Sequence, residues 1–141
     1  MSMITRQNVV DAARAWLGTP WKHQGRNRQG IDCIGLPVVV ARTLGLSTYD
    51  SFAYSREPVA REFMSHFYKA GCVRIDPKKG RDGDLVLFHQ AGYPCHAGIL
   101  STLHDRPAVI HAHLGHRKVV EEVLQPDAST MAVFTLPNVE D

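Results

Sequence analysis

"QGIDCIGLPVVVARTLG", Gln29 to Gly45, decides how the rest of the chain is read. A polar, glycine-punctuated segment ends here and an apolar run begins, closed by Gly45 where a left-handed residue commonly terminates a helix. The run is expected to be a helix from about Cys33 to Leu44, with Pro37 in its first turn or so, where proline is tolerated. Cys33 sits where loop meets helix, with Asp32 before it and Gly35 keeping the approach open. Unpaired backbone N–H groups at a helix start favour an anion, so a thiol there is expected to ionise more readily than usual. The same groups can hold an oxyanion on a carbonyl that the sulfur attacks. Taken alone, a single cysteine is more often a packing residue. Chemistry at Cys33 needs partners.

Working outward, residues Thr5 to Leu17 read as a helix with Val9, Ala13, Trp16 and Leu17 on one face, stopped by Gly18-Thr19-Pro20. Trp21 to Gly30 reads as a polar loop carrying Lys22, Arg26 and Arg28. Ser55 to Gly71 reads as a third helix, with Val59, Phe63 and Phe67 at spacing four. The pattern then shortens to strands: "CVRID", "DLVLFH", "CHAGILS", "PAVIHAHL", "KVVEEVL" and "MAVFTL", each bounded by turn residues. Helices first and an antiparallel sheet afterwards make an α+β fold. The 141 residues suit one domain spanning 1–141, with no repeat and no linker.

A net charge of +2 is too small to argue for nucleic acid or a membrane surface. No apolar run approaches the roughly 18–20 residues of a membrane span. The first residues lack the charged, apolar and small regions of a secretory signal, so synthesis in the cytoplasm is expected. Cys33, Cys72 and Cys95 form no CxxC pair and are odd in number, against both a disulfide framework and a four-cysteine zinc site. Cys72 and Cys95 read as packing residues.

Histidine is the unusual component: eight in all, five of them between His96 and His116. A cysteine nucleophile needs a base, usually a histidine that a third polar group orients. A hairpin turning near His104 and Asp105 sets His111 and His113 on the face of His96, and that geometry does not choose between them. Cys95, His96, His111, His113 and His116 also hold enough donors for zinc, although their spacing fits no metal motif. His104 and His116, near turns, read as surface residues.

Several pieces of the sequence resemble one family. "GIDCIGL" resembles the D-C-S-G-[LF] nucleophile motif of the NlpC-type cell-wall peptidases, a bacterial papain-like group. "GDLVLF" followed by "HAGIL" resembles that family's G-D-L-[VI]-x-F strand and its H-V-G-I-Y, and "VIHAH" its later [FV]-[IV]-H-A strand. "GTPWKHQGRNRQGIDC" resembles the G-x-P-Y-x-x-G-G lead-in at the same distance from the cysteine. The match runs from about Leu17 to His113. It implies a small papain-like fold in which helices carrying Cys33 pack on a sheet carrying His96 and His111.

By that resemblance Cys33 is the nucleophile, His96 the general base and His111 the residue orienting its ring, which picks His111 over His113. Asp32 holds the loop. Trp21 stands where the family has an oxyanion-pocket tyrosine, Gln24-Gly25 stands for Gly-Gly, and Ile34 replaces a serine, so Trp21, His23 and Gln24 become candidate pocket donors. The implied reaction is hydrolysis of an amide in the peptide stem of peptidoglycan, typically between γ-D-glutamate and a diamino acid, without metal or organic cofactor. "PWKHQGR" and "DCIGL" look most like the branch encoded among phage and prophage tail genes. Tail proteins then become expected partners, and the particle the expected route to the cell wall. A silent tail component of the same fold, a papain-like amidase or acyltransferase on another acyl group, and a zinc-binding module are the rival readings.

Overall fold

The first helix, α1 (Arg6–Arg14), is opened by Thr5: its hydroxyl accepts from the Asn8 amide at 3.1 Å, and Asn8 Oδ1 accepts from the Thr5 amide at 2.9 Å. The computed structural model describes residues 3–140 apart from Glu57, Ala91, Gly92, Pro126 and Asp127, and only the backbone of residues 90, 93 and 94. Val9, Val10 and Ala13 form the buried face of α1. The helix ends three residues before Leu17, which is exposed, because the chain turns away to join the sheet. Gly18 donates to the Val119 carbonyl and Val119 to that of Thr19, and Pro20 bridges Lys118. The segment expected to stop a helix thus satisfies backbone groups at a sheet edge.

The expected polar loop contains a small antiparallel ribbon, β2 (Arg26–Asn27) with β3 (Gly30–Ile31). Gly25 is required by the closeness of that ribbon: a Cβ there would lie 2.2 Å from the Gly30 carbonyl oxygen. Directly after it comes α2 (Gly35–Thr43), whose Leu36, Val39, Val40 and Ala41 are buried, and Gly45 follows with φ of 71°. The third helix, α3 (Ala60–Lys69), begins five residues later than the sequence pattern suggested. Val59 is extended (φ −86°, ψ 163°) as the cap, its amide held by Glu62 Oε1 at 3.2 Å, and it is 53% exposed. The cap, not the apolar spacing, sets the start, so only Phe63 and Phe67 of the expected triplet reach the core.

Six strands form the main sheet: β4 (Val73–Ile75), β5 (Leu85–Gln90), β6 (Tyr93–Leu103), β7 (Arg106–His113), β8 (Lys118–Val123) and β9 (Ser129–Thr135). Their spatial order is β4-β9-β5-β6-β7-β8, all antiparallel. Two short end strands, β1 (Ile4–Thr5) and β10 (Val139–Glu140), pair in parallel and tie the chain ends together. One face of the sheet meets the helices, with Leu85, Leu87, Ala97, Ile99, Ile110, Ala112 and Phe134 joining the helical core. Fully burying an aliphatic or aromatic side chain of this kind contributes roughly 1.5–3 kcal/mol. Val86, Phe88, Val109 and Val133 form a smaller cluster on the alternate positions.

Candidate active site

Two groups of residues make the site. The first is built around Asp32, which is 2% exposed. Its carboxylate accepts from the Gln24 amide (2.6 Å), the Gly35 amide at the start of α2 (2.8 Å), the Tyr54 hydroxyl (2.8 Å) and Arg26 Nη1 (3.2 Å). Arg26 in turn bonds Asp50 and Tyr54, so the buried charge is paired and its lone pairs are filled. Gln24 adopts φ of 60°, a left-handed conformation, at the position where the resembling family has glycine. The Asp32 bond holds its backbone, and its side-chain amide donates to the Phe52 carbonyl at 2.6 Å. That side chain is a tie within the loop, and its amide is already committed.

Cys33 lies in the turn leading into α2, partly exposed and packed against the helix-side core. Its thiol is pushed up, above the ordinary thiol range. Burial is the largest cause, then the charge of Asp32, with a smaller contribution from Cys95. The amides of Cys33 and Ile34 act in the opposite direction, as a helix start should, but do not prevail. The expectation of an easily ionised thiol is therefore corrected: in a site this enclosed, desolvation of the thiolate outweighs two backbone donors.

The second group is the imidazole cluster. β6 and β7 pair with Leu103 opposite Arg106, so the hairpin turns at His104-Asp105, both with positive φ. His96, His111 and His113 are all buried, His111 completely. The ring of His96 stacks on Phe88 (5.4 Å between centroids) and on His113 (5.5 Å), and meets His111 edge-on at 5.7 Å. His111 and His113 are 5.0 Å apart. Burial, then the neighbouring His111 and His113, push His96 down to about 4, and burial also lowers His113. His96 is thus a neutral imidazole at neutral pH.

Sequence reasoning missed Glu122. Its Oε1 lies 2.9 Å from His111 Nε2, and that bond is the main reason its carboxyl stays below the usual range. An ionised carboxylate only accepts, so Nε2 of His111 donates to it, while Nδ1 is buried and has no hydrogen-bond partner among the described residues. The register places Val120 opposite His111 and Glu122 opposite Val109, so Glu122 shares the face of His111 diagonally. The signal was the acid pair in "KVVEEVL", readable only once that register is known: Glu121 instead pairs with Arg14 at 2.8 Å.

Among the described residues, His111, His113 and Glu122 could each offer one atom to an ion, these atoms lying within 4.8 Å of one another. That set differs from the cysteine-and-histidine group considered from sequence, because Glu122 enters it. The protons are already committed, however: His113 Nδ1 accepts from the His116 amide at 3.1 Å, and His111 Nε2 is turned to Glu122.

At the Cys95–His96 step of β6 the two groups are one residue apart in the chain and on opposite faces of the sheet, so the structure does not bring the Cys33 thiol and the His96 ring together. Cys95 packs with Cys33 against the helix-side core and bears on its thiol electrostatically, while His96 belongs to the ring cluster around Phe88. The charges bearing on His96 come from His111, His113, Glu122 and His89. A β-bulge between Phe88 and Gln90 lies beside this step. Bulges bend a strand and re-aim its side chains, and they are frequent next to active sites. Beyond it, Trp21, Lys22 and His23 from the loop and Leu114 and Arg117 from the β7–β8 turn, with Arg56, line an open cleft of about 590 Å³. His23 Nδ1 lies 4.0 Å from Asp32 Oδ2, and its ring meets Tyr54 edge-on.

Among curated proteins none matches the chain. Among solved structures, the NlpC/p60 domain of the peptidoglycan hydrolase SagA is similar over 94% of this chain and all of its own, at 18% identity and a TM-score of 0.65. NlpC2 from Trichomonas vaginalis is similar over 97% of this chain and 48% of its own, at 16% identity and a TM-score of 0.67. An N-acetylmuramoyl-L-alanine amidase from Bacteroides uniformis is similar over 94% and 98%, at 13% identity and a TM-score of 0.61. These likenesses are of fold: three helices on a six-stranded antiparallel sheet, the papain-like α+β arrangement. The model of the NlpC/P60 family matches residues 18–135, spanning the Asp32 network, Cys33 and the whole imidazole cluster. The chain belongs to the NlpC/P60 family of cysteine peptidase and amidase hydrolases.

Proposed function

We propose that this chain hydrolyses an amide bond in peptidoglycan stem peptides, between γ-D-glutamate and a diamino acid, with Cys33 as nucleophile and His96 as general base. What supports this reading is the set of motif residues inside the matched family domain: Cys33 just before α2, and a buried, neutral His96 next in the chain to the Cys95 that packs with it; catalysis then requires the His96 ring to turn toward the Cys33 side of the strand. At rest both groups are neutral. As the sulfur forms its bond to the amide carbonyl carbon, the thiol proton passes to His96. The carbonyl oxygen becomes an oxyanion facing the amides of Cys33 and Ile34. The imidazolium then protonates the leaving amine, the C–N bond breaks, and a thioester remains. Water, giving a proton to His96, attacks the thioester and releases the acid; the proton returns to sulfur. His111, with Nε2 turned to Glu122, is the residue that orients the His96 ring by the family resemblance, and it meets that ring edge-on at 5.7 Å. Trp21, Lys22 and His23, on the cleft wall, are the pocket residues nearest in the chain to Asp32 and Cys33.

Incubating the chain with L-Ala-γ-D-Glu-diaminopimelate and following the products by mass spectrometry tests the reading. Release of free diaminopimelate by wild type and none by Cys33→Ala is expected; an intact peptide after prolonged incubation overturns it. Delivery by a phage or prophage tail is supported by the "PWKHQGR" and "DCIGL" resemblance, and finding the chain in purified particles is its test.

One observation favours a second reading, a silent tail component: Cys33 is held as a neutral thiol by its own surroundings, by burial first and then by the charge of Asp32. Iodoacetamide alkylation across pH decides between the two. A working pair gives Cys33 a rate that falls severalfold in His96→Ala at neutral pH; a thiol indifferent to His96 supports the silent component.

A further inference from the structure

The cleft between the Cys33 loop and the β7–β8 turn has a one-sided charge. Its lining holds Lys22, Arg56 and Arg117, beside Trp21, His23 and Leu114, and, among the described residues, no acidic side chain. Elsewhere several arginines are spent on carboxylates: Arg6 on Asp84, Arg14 on Glu121, Arg26 on Asp32 and Asp50, and Arg42 on Asp50. Among the described residues, none of the three cleft cations has a carboxylate partner; Arg56 instead lies over the Trp21 ring, 5.3 Å from its centroid. Three like charges gathered without counter-ions repel one another, and an anionic ligand relieves that repulsion. The volume, about 590 Å³, is that of a small-ligand site.

The walls also fix where such an anion would sit. One wall is Trp21 to His23, anchored by the Trp21 amide on the Arg117 carbonyl at 2.8 Å. The other follows His113 directly, through Leu114 to Arg117. The Lys22 amide donates to the Ile31 carbonyl at 3.1 Å and His23 Nδ1 lies 4.0 Å from Asp32 Oδ2, so the cleft adjoins the residues just before Cys33, and a peptide presenting its carbonyl there has its flanking groups beside it. In a γ-linked glutamyl peptide the side-chain carboxyl forms the amide, which leaves the α-carboxylate free beside the scissile bond; the diamino acid carries a further carboxylate on the leaving side. An ordinary α-peptide has no main-chain carboxylate at either place.

We infer that Lys22, Arg56 and Arg117 form a carboxylate-binding subsite that selects stem peptides with free, un-amidated carboxyl groups next to the scissile bond. The inference rests on the peptidase reading above and adds the substrate's charge state to it. These are exposed cations, each contact worth a small factor in affinity, so their joint effect is about tenfold.

The test uses two synthetic peptides, L-Ala-γ-D-Glu-diaminopimelate and the same peptide with both flanking carboxyls amidated. Their binding to full-length Cys33→Ala is measured by calorimetry, and kcat/KM is measured with wild type. The free acid is expected to bind about tenfold more tightly than the amide at low salt. The double variant Arg56→Gln, Arg117→Gln should bring the two within about twofold, while binding of the amidated form stays as before. The pair Arg56→Lys, Arg117→Lys should keep most of the preference, separating charge from loss of fold. Equal binding of both peptides, or a preference that survives the double Gln variant, overturns the subsite even if wild type cleaves both. Cleavage of neither peptide, with the free acid still bound selectively, overturns the peptidase reading and leaves the subsite standing.

Discussion

The surroundings of Cys33 and of His96 are held together by different physics. Around Cys33 the chain is fixed by directional bonds that converge on one buried carboxylate, Asp32, from Gln24, Arg26, Gly35 and Tyr54. Around His96 the contacts are faces and edges of rings, Phe88, His111 and His113, tied to the backbone and to Glu122 at the periphery. A hydrogen-bonded carboxylate specifies a loop to within tenths of an ångström and fails when one partner is removed. Packed imidazoles tolerate small shifts but are sensitive to protons, since charging one of them charges its neighbours' surroundings too. Cys33 is thus placed by geometry, while His96 is set by burial.

The contrast can be broken from either side. The largest effect is expected at the sulfur itself: Cys33→Ala should reduce stem-peptide hydrolysis at least a thousandfold while leaving the melting temperature within a few degrees, as measured by kinetics and calorimetry. Next is the anchor. Asp32→Ala leaves a buried guanidinium and two backbone amides without their acceptor, and denaturant unfolding should show a loss of about 3–5 kcal/mol. If Asp32→Ala costs less than 1 kcal/mol, the loop is held by something other than that carboxylate.

The imidazole side should show itself through pH. Folding lowers the His96 pKa from 6.5 to about 4, so the unfolded chain takes up a proton first as the pH falls. The contribution is intact at neutral pH and is lost progressively between about pH 6.5 and pH 4, amounting to about 3 kcal/mol. His96→Gln should flatten the stability-versus-pH curve in that window, and a variant curve parallel to wild type would remove the assignment. The smallest effect is expected at Glu122. Glu122→Gln keeps a side chain beside His111 but no longer dictates which ring nitrogen carries the proton; a drop of about tenfold in kcat with KM unchanged is expected. A change in KM alone would instead place Glu122 in substrate binding.

Much of this was legible in one dimension because it depends on local chemistry. The glycine after α2, the strand alternation and the turn at His104-Asp105 are consequences of backbone preference and of a period of two, and the structure follows them. The motifs around Cys33 and His96 were likewise visible as short, ordered strings. What failed locally did so for identifiable reasons: α3 begins at its cap instead of at its first apolar residue, α1 stops where the chain is needed at the sheet edge, and a nominal loop pairs with itself as β2 and β3.

By itself, then, the amino-acid order determined that helices precede an antiparallel sheet, that a cysteine opens the second helix, and that several histidines share one hairpin. Only the tertiary structure decided the electrostatics. Burial raises the Cys33 thiol against the pull of its helix start and drives His96 to its neutral form. Register, which no single strand contains, brings Glu122 to His111. Chain segments far apart in sequence, Trp21 to His23, Arg56, and Leu114 to Arg117, meet to make a cationic cleft. Desolvation and long-range pairing depend on what surrounds a residue in space, and neighbours in sequence do not supply that.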